Sequence, residues 1–127
     1  MTVVKAELTR GEEILDIFNT NPIDPYAELS INDLSFSTTV AVAADWFPKW
    51  TESFEIDVKS LDDNLYLKVM NDNGDIESTF IGDATIQISD LSIDGLDKWF
   101  ELSYQGASAG RVHLKSAWNS TESKFVS

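Results

Sequence analysis

Asp24-Pro25-Tyr26-Ala27-Glu28-Leu29-Ser30-Ile31 sets the period that the rest of the chain repeats. Ala27, Leu29 and Ile31 alternate with Tyr26, Glu28 and Ser30, the pattern of a strand with one face on a core and the other in water. Pro25 stands where such a strand begins, a position that suits its fixed φ and tolerates its missing amide donor. On the N-terminal side Val4, Ala6 and Leu8 alternate with Lys5 and Glu7. On the C-terminal side a third strand is expected over 36–42, with an ambiguous inward set because residues 40–43 are all apolar. Phe54, Ile56 and Val58 then oppose Glu55 and Asp57, and Leu65, Leu67 and Val69 oppose Tyr66 and Lys68. Ala84, Ile86 and Ile88 oppose Thr85 and Gln87; Trp99, Glu101 and Ser103 alternate with Phe100, Leu102 and Tyr104; Val112 and Leu114 point inward between Arg111, His113 and Lys115. Strands at this even spacing, punctuated by Gly, Pro, Asp and Asn, predict an all-β fold, an eight-stranded antiparallel β-sandwich. Helical periodicity is scarce, and the one helical turn expected falls over 12–18.

The chain has 127 residues, the size of one domain able to bury its own core. The expected core spans 3–118, with 119–127 as a polar tail. An apolar fraction of 43% and well-scattered aromatics exclude a disordered chain. The absence of cysteine excludes disulfides, thiolate metal sites and a cysteine nucleophile. Residues 1–7 lack the apolar stretch of a signal peptide, and no apolar run reaches membrane-spanning length. The expectation is a cytoplasmic protein, with peripheral membrane association as the alternative. Asn119-Ser120-Thr121 matches a glycosylation acceptor pattern and is read as part of the polar tail.

The net charge is −13, and the nine Lys and Arg are dispersed along the sequence, so no basic stripe exists to track phosphates. Nucleic acid is not an expected partner. The same field opposes an anionic membrane unless cations neutralise the docking loops or an apolar loop tip enters the bilayer. A protein partner is favoured by that balance. Catalysis finds no support: His113 is the one histidine, lies mid-strand and has no serine motif beside it, and neither a phosphate-cradling glycine loop nor a zinc-binding HExxH occurs.

Several marks occur in a fixed order: Asp24-Pro25-Tyr26 opening a strand, Pro48-Lys49-Trp50-Thr51-Glu52-Ser53-Phe54 entering another, Phe80-Ile81-Gly82 heading a third, then Trp99-Phe100-Glu101-Leu102. Pro48 turns a loop, Trp50 can cap the open end of the core, and Gly82 permits close backbone approach. Together they make the chain, from Val3 to Trp118, resemble the C2 domain, a sandwich whose loops dock onto membranes or proteins. The strand order resembles the family's type II permutation, in which both termini lie opposite the first and third variable loops.

Members of that family that bind calcium place two aspartates in the first loop and three in the third, the hard oxygen donors this ion needs. By that resemblance Asp24 matches the second first-loop position. The first falls on Phe18, with Asp16 near enough to substitute. The third-loop positions fall on Asn71, Asn73 and Thr79, and Asp75 adds a carboxylate nearby. The resemblance therefore implies a degenerate calcium site of Asp24, Asn71, Asn73, Asp75, Thr79 and Asp16, with calcium the one cofactor in question. Asn73-Gly74 reads equally as a hairpin turn or as part of that site. Phe18, Ile23 and Ile76 are the expected loop tips for a membrane or a partner. The lysine-rich strand pair with which some members hold phosphoinositides is missing, since 35–44 carries no positive charge.

The expected function is thus a non-enzymatic docking module that binds a protein partner through its loops or outer sheet face, independently of calcium. The alternative is calcium-assisted peripheral binding to a phospholipid membrane through the first and third loops.

Overall fold

A computed structural model describes residues 1–9 and 23–126. Ten strands occur among them: β1 (Thr2–Leu8), β2 (Pro25–Ile31), β3 (Leu34–Ser37), β4 (Lys49–Ser53), β5 (Ile56–Asp57), β6 (Asn64–Asn73), β7 (Ile76–Gln87), β8 (Leu96–Tyr104), β9 (Ala107–Asn119) and β10 (Lys124–Val126). Eight of them follow one antiparallel path, β3-β2-β6-β7-β8-β9-β1-β4, while β5 and β10 pair off it. Between β7 and β8 the path holds by one bridge, Asp83 opposite Ser103. At that seam the sheet folds over into two layers, β3-β2-β6-β7 and β8-β9-β1-β4. The expected helical turn over 12–18 lies outside the described residues.

The inward rows of the two layers make the core. Ala27, Leu29 and Ile31 of β2 and Leu65, Leu67 and Val69 of β6 face Leu102, Val112 and Leu114 of β8 and β9, all fully buried. Trp50 closes the open end, and its indole N–H donates to the Pro25 carbonyl at 3.2 Å, tying one layer to the other. Gly82 sits close against the second layer: a Cβ there would stand 2.6 Å from the Ala109 Cβ.

Four local expectations are corrected. In β1 the inward residue is Val3 rather than Val4, because the register with both β4 and β9 slips between Val3 and Lys5. The third strand ends at Ser37. Thr38 then gives its backbone N–H to Ala27 O and takes the Ala27 N–H on its hydroxyl, which pulls residues 38–41 off the ladder. The strand expected through Phe54, Ile56 and Val58 is reduced to the two residues of β5: Phe54 N–H donates to Met1 O and Val58 N–H to Ser123 O, so the two ends are held by different segments. Finally, the segment expected as a polar tail carries a strand of its own. Asn119 accepts the N–H groups of Thr121 and Glu122, a turn follows, and β10 returns to pair with β9 and β5, burying Phe125 against Trp118.

Candidate functional site

Three hydrogen bonds from two segments converge on Asp24. Its backbone N–H donates to Asn71 Oδ1 at 2.8 Å, its carbonyl accepts from Asp72 N–H at 3.0 Å, and its carboxylate Oδ1 accepts from Ala43 N–H at 2.6 Å. The register of β2 on β6 places Pro25 opposite Asn71, which sets up the first two contacts. The same loop is fastened a second time, since Ile23 N–H donates to Asp45 Oδ1 and Asp45 N–H returns to Ile23 O.

From Asn71 the hydrogen bonds run on as a chain. Asn71 Nδ2 donates to Asn73 Oδ1 at 2.8 Å, and Asn73 Nδ2 donates to Thr79 Oγ1 and to Glu77 O, each at 2.8 Å. Asn71 is only 6% exposed, so its amide must be satisfied within the protein, and it is. Asp24, Asn71, Asn73 and Thr79 are therefore brought together as the resemblance implied. Asp75 stands outside this chain, on the exposed two-residue turn that it forms with Gly74, and Asn73 ends β6 as part of the network. Asp16 and Phe18 lie outside the described residues.

The chemistry of this donor set differs from that of a calcium cup. Calcium takes six to eight oxygens, several of them charged. Here the Asn71, Asn73 and Thr79 side-chain oxygens are neutral and already accept internal hydrogen bonds, and one Asp24 oxygen is held by the Ala43 amide. Among the described residues no group of three or more His, Asp or Glu side chains is placed to hold a metal ion.

Of the apolar loop tips expected, Ile76 is exposed, Ile23 is buried and Phe18 lies outside the described residues. Ile76 is 63% exposed, as a tip should be. Ile23 is 1% exposed, and the pair of hydrogen bonds with Asp45 holds its backbone so that the side chain packs in the core. Val42 and Phe47, 78% and 70% exposed, are tips that period-two reading missed, since it assigned Val42 to a strand. Val42 adjoins the Ala43 amide that holds Asp24, and Ile76 lies across β6–β7 from Asn73, so the amide chain joins these two tips. A shallow pocket of about 390 Å³ lies elsewhere, at the β7–β8 seam, lined by Asp83, Phe100, Glu101 and Ser103 among others. No histidine lines it to activate Ser103, and Asp83 is engaged there by the Tyr66 hydroxyl.

A family model described as C2 domain matches residues 1–102. Among curated proteins, 16 kDa phloem protein 2 of Cucurbita maxima is 34% identical over 98 residues, covering 73% of this chain and 70% of that protein. Extended synaptotagmin-1 of Mus musculus is 33% identical over 94 residues, 72% of this chain, although the match spans only 8% of that much longer protein. Among solved structures, a C2 domain of a plant Extended Synaptotagmin 1 superposes with a TM-score of 0.70 at 19% identity, covering 90% of this chain and 87% of that one. The paired C2 domains of Extended-Synaptotagmin 2 give a TM-score of 0.73 at 24% identity, covering 92% of this chain and 39% of that one. At those identities the structural likeness speaks to the fold alone.

Proposed function

The chain belongs to the C2 domain family, and from that premise we propose that it is a non-enzymatic docking module whose loop end or outer sheet face binds a protein partner without calcium. The observation that carries this reading is the amide chain from Asp24 through Asn71 and Asn73 to Thr79. It joins Asp24 to the third-loop positions through hydrogen bonds between neutral groups, which favours docking that does not rely on a cation. Exposed Val42 and Phe47 on the β3–β4 connection and Ile76 at the start of β7 supply apolar contact area beside it, and apolar tips on a preorganised frame bind with little ordering cost. The net charge of −13 supports a protein over an anionic bilayer.

The same exposed tips favour a second reading, peripheral insertion into a phospholipid membrane. Cosedimentation with phosphatidylserine vesicles, with and without calcium, separates the two. The protein-docking reading expects no pelleting in either condition, together with a partner retained by the wild type and lost by an equally folded V42S/F47S/I76S variant. Pelleting that the triple variant abolishes would overturn it in favour of the membrane.

A further inference from the structure

The cations that are scattered along the sequence are not scattered in space. Lys49 of β4 is the register partner of Lys5 of β1, Lys5 of His113 on β9, and His113 of Trp99 on β8. These four side chains form one row across four strands on the outer face of the second layer. The neighbouring rows carry Glu7, Arg111 and Glu101 on one side and Thr2, Lys115 and Asp97 on the other. Four of the nine Lys and Arg of a strongly acidic chain thus stand within three adjacent rows.

Two of these cations are already committed. Arg111 is pinned by Glu7, at 2.7 Å from Nε, and lies 4.1 Å over the Trp99 ring; Lys115 reaches Asp97. His113 is held between Asp97 and the Trp99 face, with ring centroids 5.0 Å apart. Lys5 and Lys49 differ. Both are exposed, they stand directly opposite one another, and neither has a carboxylate partner among the described residues. Lys5 Nζ leans along the row, 5.8 Å from the Trp99 ring centroid. Like charges directly opposite in a sheet are unfavourable, and 22 carboxylates were available to relieve them.

We propose that the row Lys49–Lys5–His113–Trp99 is a docking track for an acidic, extended segment of a partner protein, with its carboxylates on the two lysines and an aromatic or aliphatic side chain against Trp99. This deepens the protein-docking reading above and rests on it. Four strands at about 4.8 Å spacing give a track about 14 Å long, the reach of four or five extended residues. The width of the track selects the occupant. A planar anionic bilayer laid on this face would meet Glu7, Glu101 and Asp97 together with the lysines, whereas a segment one chain wide lies on the row and passes between the flanking carboxylates. At physiological salt the screening length is about 8 Å, so the two near lysines outweigh the distant negative charge.

The test is a titration of the isotopically labelled full chain with a capped peptide of five glutamates and one tyrosine, followed by amide and indole NMR shifts. The shifts should centre on Lys5, Lys49, His113 and the Trp99 indole, and K5A/K49A should weaken binding about tenfold while leaving the spectrum otherwise folded. No shift up to millimolar peptide, shifts mapping elsewhere, or an unchanged affinity in K5A/K49A would each overturn the track, as would lysine-dependent binding of phosphatidylserine vesicles in place of the peptide. If a captured partner is lost by V42S/F47S/I76S and kept by K5A/K49A, the track falls and loop-end docking stands.

Discussion

Asn71 accepts the backbone N–H of Asp24 at 2.8 Å, so a neutral side chain on β6 holds the loop that opens β2. Replacing Asn71 by Ala leaves the Asp24 N–H and Asn73 Oδ1 without these partners in a nearly closed site. A loss of about 1–3 kcal/mol is expected in urea unfolding.

The aspartates that the resemblance implied can be restored. In N71D/N73D the amide donors disappear and three carboxylates, counting Asp24, face one another. That variant should be less stable than the wild type in chelator and regain several degrees of Tm in millimolar calcium, whereas the wild-type Tm should not move. A wild-type Tm that rises with calcium would contradict the amide chain as the organising element.

Phe125 is fully buried, with its ring edge-on to Trp118 at 4.8 Å between centroids. Phe125→Ala should cost about 3–5 kcal/mol, measured by chemical denaturation, as befits a core residue and not a tail.

Gly110 has φ near +122°, and a Cβ there would stand 2.1 Å from the Glu7 carbonyl oxygen, in the very β1–β9 pairing that carries the cationic row. Backbone cannot yield as a flexible side chain can. Gly110→Ala should destabilise by about 3 kcal/mol or more, combining overpacking with an unfavourable φ.

The Tyr66 hydroxyl donates to Asp83 Oδ2 at 2.6 Å; that bond, then burial, then the carboxylate charge push its pKa up to about 12. The folded value is raised above the ordinary one near 10, so the contact stabilises fully below about pH 10 and its contribution is lost as pH rises through about 12. Ultraviolet titration should show a late-ionising tyrosine that Asp83→Asn returns toward its ordinary value.

Alternation made the fold legible because most strands bury one face only. Ala27, Leu29, Ile31, Leu65, Leu67 and Val69 all point as their period demands. It failed where something other than period decides: the slip at Val3, the Thr38 hydroxyl that ends β3, and Phe125, a lone aromatic at the end of a mostly polar stretch whose strand partner lies across a turn. At the loop end, Asp24, Asn71, Asn73 and Thr79 could be matched by spacing. That their N–H groups donate to one another's oxygens could not, because hydrogen-bond direction has no linear signature. Nor could the cationic row, since Lys5, Lys49, Trp99 and His113 become neighbours only through strand register.

The two outermost strands of the path, β3 and β4, bound the sheet. β3 has four residues, and β4 carries Thr51 at φ near +51°, a left-handed kink that a β-branched residue adopts only under constraint. Neither border offers a long flat ladder for another copy to extend. The sheet is in this way kept from polymerising along its rims, and concentrating the protein should not seed fibrils from the native state.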